Sequence, residues 1–541
     1  MTEPPERLAP AEKPPGPART GGPAVLVFIG ILCSRVTGLV RQRVFAHYFG
    51  LGPEADAFLA AFKIPNFLQN LFGEGVLSGS LIPVYASLVA RGDRRHADRV
   101  AGAVGSLLGL VVSVVVLVGV VATPLLIGLI APGFTGPTRE LTIQVVRILF
   151  PGAGLLVLSA WCLGVLNSHH RFLISYTAPV VWNAAMIATL VMFGAQTPLP
   201  RLAGILAWGS VIGSGLQLAV QVPMVWRVAP DLRFALDATS AEVRTVVRNF
   251  IPVFISRGVA QFSAYVDLLL ASLLPTGAVA GLTNAQTLYL LPVSLFGMSV
   301  SAAELPAMSG VATVDAAGFA ALRRRLDAGL RQIAFFVVPS AMAFLALGDV
   351  LAAALLQTGR FGPDEAVYVW GILAGSAVGL LASTLARLYS SSYYALRDTR
   401  TPLRFAIVRL VLTTSLGYLC AIPLPRWLGI SERWGVAGLT VSAGVAGWIE
   451  MLLLRRALNA RIGPTGLPAS YVTMLWLAAG AGAATAWAIK LTVPIANPVL
   501  AAVAILGPYG LVFLAIALAL RIPEAATLVS RLTARRRVKA G

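Results

Sequence analysis

The chain is 541 residues long, 57% apolar and only 12% charged, about half the charged fraction of a soluble domain. That excludes a water-soluble globular protein, because a single core stops growing at roughly 250 to 300 residues and the surplus apolar side chains then have to face lipid. The 42 Lys and Arg exceed the 23 Asp and Glu by 19, a surplus that marks nucleic-acid binding on a soluble chain and cytoplasmic loops on a membrane chain.

Residues 1–23 hold seven prolines and almost no apolar side chains, so they are predicted to be a disordered cytoplasmic tail. The apolar run from Ala24 has no small-residue cleavage site and soon meets Arg35, Arg41 and Arg43. It reads as a retained first span rather than a signal peptide. With about 20 residues needed per crossing, spans are predicted near 24–49, 56–89, 100–130, 141–166, 172–194 and 202–226. Eight more follow near 249–274, 277–310, 330–356, 366–394, 405–424, 435–454, 468–490 and 498–520, fourteen in all. The second contains Pro65, Gly73, Gly75 and Pro83, which predicts a broken helix beside a cavity.

Charge placement tests the count. With both termini in the cytoplasm, the tails and even-numbered loops carry 27 Lys or Arg, the odd-numbered loops 5, and the spans 10. A miscounted span would scramble this asymmetry. Topology therefore accounts for the net charge, and no nucleic-acid partner is needed.

Two short echoes recur six spans apart. Ser78 and Pro83 are matched by Ser301 and Pro306, offset 223, and Leu166 at the end of span four by Leu396 at the end of span ten, offset 230. They predict an all-α polytopic fold of two six-helix lobes around a central cavity, residues 24–228 and 229–458. The polar stretch Arg227 to Arg248 forms the boundary, and residues 459–541 supply two extra helices and a basic cytoplasmic tail.

Enzymatic chemistry finds little support. None of the four lysines follows a glycine, so no phosphate-cradling nucleotide loop is present. The four histidines lack metal-ligand spacing, with His169 and His170 expected in a solvated, phosphate-facing turn, and the three cysteines fall within spans as apolar packers. No metal or cofactor is expected. Uphill transport would draw on a coupling cation or the membrane potential.

Ionisable groups within lipid cost about 2.5 to 3.5 kcal/mol each on insertion scales, so they face a cavity or a partner. Spans one, two, seven and eight carry Arg35, Arg41, Asp56, Lys63, Glu74, Arg257, Asp267 and Glu304. Arg35 and Arg41 point about 120° apart on an ideal helix, and Arg257 and Asp267 share a face about 15 Å apart. Glu74, between Gly73 and Gly75, is expected at a helix break or as a structural counter-ion. Arg387 and Arg409 are expected to snorkel towards a cytoplasmic interface. Arginine suits phosphate through its planar, permanently charged fork. A cationic cavity inside lipid thus predicts an anionic amphiphile as cargo, and lipid-linked pyrophosphate sugars meet both requirements.

The stretch Ser34-Arg35-Val36-Thr37-Gly38-Leu39-Val40-Arg41, with Phe49-Gly50, Asp56-Ala57-Phe58, Ala61-Phe62-Lys63-Ile64-Pro65-Asn66, Leu71-Phe72-Gly73-Glu74-Gly75 and Pro83, resembles the N-terminal signature of the MurJ (MviN) lipid II flippases. This family belongs to the multidrug/oligosaccharidyl-lipid/polysaccharide exporter superfamily. The resemblance implies alternating access that carries lipid II from the inner to the outer leaflet of the bacterial cytoplasmic (inner) membrane for peptidoglycan synthesis, by a monomer whose partners are this lipid and the surrounding membrane lipids. It further implies that Arg35 and Arg41 contact the pyrophosphate, with Lys63 among the substrate-binding groups, and that Asp56 and Glu74 support gating or the helix break. The family often has a basic residue soon after the Pro-Asn of span two and an acidic-Arg pair in span eight. Here stand Gln69 and Asn70, then Gln286 and Thr287. Arg257 is therefore read as replacing a lost phosphate contact, with Asp267 and Glu304 as gating or counter-ion groups. Three other readings remain: a flippase for another polyprenyl-pyrophosphate-linked glycan, a cation-coupled drug or polysaccharide exporter of the same superfamily, and a non-transporting scaffold docked through Arg535-Arg536-Arg537.

Overall fold

The computed structural model describes residues 21–237, 239–311 and 315–530, without the side chains of 21–28, 74–75, 253 and 255–264. Most of the expected N-terminal tail, residues 1–20, and the basic triplet at 535–537 lie outside the described residues. Every extended segment is helical, as long apolar runs without water demand: a backbone that cannot hydrogen-bond to lipid has to satisfy itself along its own helix. The first half comprises α1 (Gly21–Phe49), α2 (Pro53–Phe72), α3 (Glu74–Ala90), α4 (Arg94–Ile130), α5 (Gly136–Ser168), α6 (Phe172–Phe193) and α7 (Leu199–Val228). The second comprises α8 (Ala241–Ser272), α9 (Ala278–Pro292), α10 (Ser299–Val311), α11 (Ala316–Leu356), α12 (Pro363–Ala395), α13 (Arg400–Ala421), the short α14 (Pro423–Trp427), α15 (Gly435–Ile462), α16 (Ala469–Thr492) and α17 (Pro498–Ala519).

Among the described residues, twelve helices or broken helix pairs are long and apolar enough to cross a membrane. α1 and α8, 29 and 32 residues long, occupy the remaining two segments expected to cross. α1 begins at Gly21, three residues before the expected start. Local sequence sets the helix ends. Pro53 with Glu54 and Asp56 opens α2, and Pro363 with Asp364 and Glu365 opens α12, since a proline loses no bond in the first turn and carboxylates suit the positive end of the helix dipole. Asp93, Ser240 and Asp315 accept backbone N–H bonds at the starts of α4, α8 and α11.

Two apolar cores follow from the packing. One unites α2, α3, α4, α5 and α7 with parts of α1 and α6, and includes Val243 and Val246 of α8. The other unites helices from α9 onward and includes Leu268, Leu270 and Ala271 at the far end of α8. α8 therefore straddles the two groups, its first turns against α3 and α4 and its last against the second group.

The internal echo has a structural counterpart. α2 and α3 break at Gly73, and 223 residues later the chain has a widened helical turn, Val293–Met298, between α9 and α10. The turns closing α5 and α12 match at a slightly different offset. Each has a non-glycine residue in the left-handed region, His170 at φ 58° and Arg397 at φ 59°, which are 227 apart.

Candidate functional site

Apart from α8, the two helix groups meet mainly where α1 faces α11 and α2 faces α9. These contacts concentrate at the end of the molecule bearing the odd-numbered loops. The Arg43 guanidinium donates to the Ala354 carbonyl at 2.6 Å, His47 Nδ1 lies 2.8 Å from the Thr358 hydroxyl, and the Arg360 N–H donates to the His47 carbonyl at 2.9 Å. Gly359 permits that approach: its φ is +54°, and a Cβ there would lie 2.4 Å from the His47 carbonyl oxygen.

Asp56 completes the seal. Its carboxylate accepts the N–H of Gly277 at 2.6 Å and of Ala280 at 2.7 Å, so a side chain of α2 caps the N-terminus of α9 across the interface. The first-turn N–H groups of a helix have no partner within it, and Gly277, at φ +93°, turns the chain so that they face α2. The gating role that resemblance assigns to Asp56 thus acquires a concrete object, the joint between the groups.

Deeper in, polar side chains meet on the dividing surface. Gln42 Nε2 donates to Asn284 Oδ1 at 2.6 Å, and Lys63 Nζ to Gln286 Oε1 at 3.4 Å. Lys63 and Gln286 are 223 residues apart, the offset of the echo. Related halves that face each other across a two-fold axis bring matching residues together on that axis. The Tyr265 hydroxyl donates to the Lys63 carbonyl at 3.1 Å. Asp267 is the carboxylate nearest in charge to this group: the Lys63 ammonium on one side and the Arg409 guanidinium on the other act on it electrostatically, and its Oδ1 has no hydrogen-bond partner.

Arg41 is held by aromatic rings. Its guanidinium carbon lies 5.4 Å from the centroid of Phe62 and 5.1 Å from that of Trp182, whose rings stack on each other 5.6 Å apart at 15°. Stacking engages the faces of the guanidinium and leaves the N–H edge to bind in-plane acceptors. The Met186 sulfur, at 3.9 Å, is the only acceptor hydrogen-bonded to Arg41 among the described residues. The cation is therefore oriented but lacks an oxygen partner. Arg35, six residues earlier and about 9 Å along the helix, is exposed. There α1 leans on α6, with Gly30 against Tyr176.

The remaining predicted residues fall as follows. Glu304 pairs with Arg325 at 3.4 Å between α10 and α11, away from the interface group, as a counter-ion. The backbone breaks immediately before Glu74, while the side chains of Glu74 and Arg257 lie outside the described residues. His169 differs from its expected solvated position. Its ring is 2.8 Å from the Tyr85 hydroxyl, which donates to Asp98 at 3.3 Å, and burial pushes the imidazole below its ordinary pKa. The structure therefore joins Asp56, Lys63 and Asp267 to one interface, while Arg41 packs against α2 and α6 within the first group, with Arg35 further along α1. Sequence reasoning did not find Phe62, Trp182 or Gln42 as contributors. A tryptophan 141 residues from its cation carries no local sign of the pairing. Among the described residues no three His, Cys, Asp or Glu side chains cluster as metal ligands would.

An apolar cavity of about 510 Å³, lined by Ile64, Phe67, Val115, Phe150, Tyr265 and Leu269 among others, adjoins the Lys63 end of this group.

Residues 45–504 match the family model of the lipid II flippase MurJ. The chain belongs to the MurJ family. The lipid II flippase MurJ of Burkholderia cenocepacia is 31% identical over 437 residues, covering 80% of this chain and 82% of that one. A solved MurJ in an inward closed conformation superposes with a TM-score of 0.74 at 24% identity, covering 91% of this chain and 98% of the other. A multidrug resistance MATE transporter of the MOP superfamily in its inward-facing conformation gives 0.63 at 17% identity, covering 81% and 98%. The MurJ family assignment rests on the sequence match, and the two structures show the shared fold.

Proposed function

We propose that this protein carries lipid II, the undecaprenyl-pyrophosphate-linked peptidoglycan precursor, from the inner to the outer leaflet of the bacterial inner membrane by alternating access. The even-numbered loops and both termini face the cytoplasm, so the sealed odd-loop end is the outer one and the described state faces inward. The observation that carries this reading is the Arg41 site. A guanidinium held beside a stacked pair of rings, with only a thioether as acceptor among the described residues, is prepared for an oxyanion, and a diphosphate offers several in-plane oxygens. The adjoining apolar cavity suits the lipid part of such a cargo. Membership of the MurJ family and the relatives named lipid II flippase support the same assignment.

The cargo moves without covalent chemistry. Binding the diphosphate at Arg41, Arg35 and Lys63 supplies differential affinity for the two states, the only way a ligand shifts a conformational equilibrium. Asp56 holds the outer joint until that shift occurs. A coupling cation or the membrane potential drives the cycle.

The test is depletion and rescue in a host lacking its own lipid II flippase, scored by exposure of lipid II at the outer leaflet. Rescue is expected from the wild-type chain and not from Arg41→Ala inserted at equal levels. Failure of the wild-type chain to rescue despite correct insertion overturns the assignment to lipid II. One observation favours a second reading, a flippase for another polyprenyl-pyrophosphate glycan: Gln69 and Asn70 stand where the family often has a basic residue.

A further inference from the structure

Each helix group borders an open cavity of about 440 Å³ with polar groups in its lining. The first is bounded by α2, α3, α5, α6 and α7, the second by α10, α12, α13 and α15. They are repeats of one another. Ser78 lines the first and Ser301 the second, offset 223. On α5 the first is lined by Leu156, Ser159, Ala160 and Leu163. Adding 227, the offset fixed independently by the left-handed turns at His170 and Arg397, gives Ser383, Ala386, Arg387 and Ser390, all of which line the second.

The two cavities differ in charge. Among the described residues the first is lined by amides, hydroxyls and apolar groups without an ionisable side chain. In the second, the position of Ala160 is held by Arg387, and Arg409 and Glu450 join it. Arg409 is committed to carboxylates: it donates to Glu450 at 3.1 Å and borders a smaller cavity containing Asp267. Arg387 has no carboxylate within ion-pairing distance among the described residues. The Ser301 hydroxyl, on a residue only 5% exposed, has no hydrogen-bond partner. Both arginines line an open cavity together with four serines, and Arg387 itself is exposed. A buried hydroxyl without a partner is costly, and an exposed guanidinium with no carboxylate beside it is open to an oxyanion.

We infer that the second cavity is an oxyanion-binding subsite built on Arg387, with Ser301 as a further donor and Glu450 holding Arg409 in place, while its repeat in the first group takes only uncharged groups. That the oxyanion belongs to the carried lipid rests on the function proposed above. Its source is then either the diphosphate or the carboxylates of the peptide attached to the sugar, and both satisfy the same chemistry.

Binding to the full-length chain in lipid nanodiscs tests this with three probes: inorganic pyrophosphate, lipid II with its pentapeptide, and the same lipid lacking the peptide. Losing one charge-assisted contact, Arg387→Gln should weaken at least one probe about tenfold, while Arg387→Lys stays within about threefold of wild type. A loss for pyrophosphate and for both lipids identifies the diphosphate, and a loss for the pentapeptide lipid alone identifies the carboxylates. Arg387→Gln that matches wild type on all three probes overturns the subsite. Wild-type protein that binds neither lipid, yet loses pyrophosphate on Arg387→Gln, overturns the cargo assignment and leaves the oxyanion site standing.

Discussion

The two ends of the molecule are held together differently. At the odd-loop end the bonds cross between the helix groups: Arg43 to Ala354, His47 to Thr358, Arg360 to His47, and Asp56 to the start of α9. At the even-loop end they stay within a group or run to the segment joining the two. Asp398 meets Arg461, Glu304 meets Arg325, Arg331 meets Glu524, and Tyr85 meets His169 and Asp98, while His96 meets Glu242 at the entrance to α8. One end is a joint made of contacts that have to break for the groups to part. The other pairs its charged groups without the opposite group. This is the difference alternating access requires, since a gate opens only where cross-interface bonds are few and individually modest.

The largest expected effect lies between the ends, at Arg41. Arg41→Ala removes a charge-assisted contact of about 2 to 3 kcal/mol, so binding of lipid II to the purified protein should fall about 30- to 150-fold and rescue should fail. Unchanged binding would dissociate the aromatic-held cation from the cargo. Next comes the joint itself. Asp56→Ala removes a cap worth about 1 to 2 kcal/mol, which should raise labelling of Ala280→Cys, buried in the sealed joint, by an impermeant thiol reagent about 5- to 30-fold, in a background without Cys33, Cys162 and Cys420. Equal labelling would mean that the cap does not hold the outer gate.

Gly359→Ala tests the same joint from the opposite side. The left-handed backbone alone costs a side chain about 1 to 2 kcal/mol, and the close His47 carbonyl adds to that. The same thiol readout should rise by at least as much as for Asp56→Ala.

The smallest effect belongs to the even-loop end. There Asp398 caps α13 and accepts from Thr401 and Arg461. Partial desolvation pushes its pKa upward, but these bonds outweigh it and hold the carboxyl down to about 2. A folded value below the ordinary carboxylate value of about 4 means that its contribution is present above that value and vanishes as the pH falls through about 2. The melting temperature of Asp398→Asn should therefore sit below wild type by the same small amount at about pH 5 and about pH 8. The gap should close in strong acid. A gap that changed between those two values would assign the titration elsewhere.

Much of this architecture was legible along the chain. Long apolar runs specify helices because lipid offers the backbone no alternative partner. The glycines around Glu74 announced the break between α2 and α3, and the serine and proline echo located the repeat. The site was legible in part. Arg41 and Lys63 stood out as charges in apolar helices, but nothing local indicated that Arg41 lies against the stacked pair Phe62 and Trp182 or that Asp56 serves the N-terminus of a helix more than 220 residues away. Arg387 stood near a span end, where snorkelling was expected, and only the packing of α10, α12, α13 and α15 shows that it also lines a cavity.

The sequence by itself determined what each segment is, because helix formation in lipid and the placement of charged loops depend on composition within some twenty residues. Tertiary structure decided what each charge is for. The partner of a buried ion is whatever side chain or backbone end the folded helices bring within a few ångströms, and that proximity joins residues hundreds of positions apart. The same folding placed α8 across both helix groups and divided two repeated cavities into one neutral and one cationic chamber.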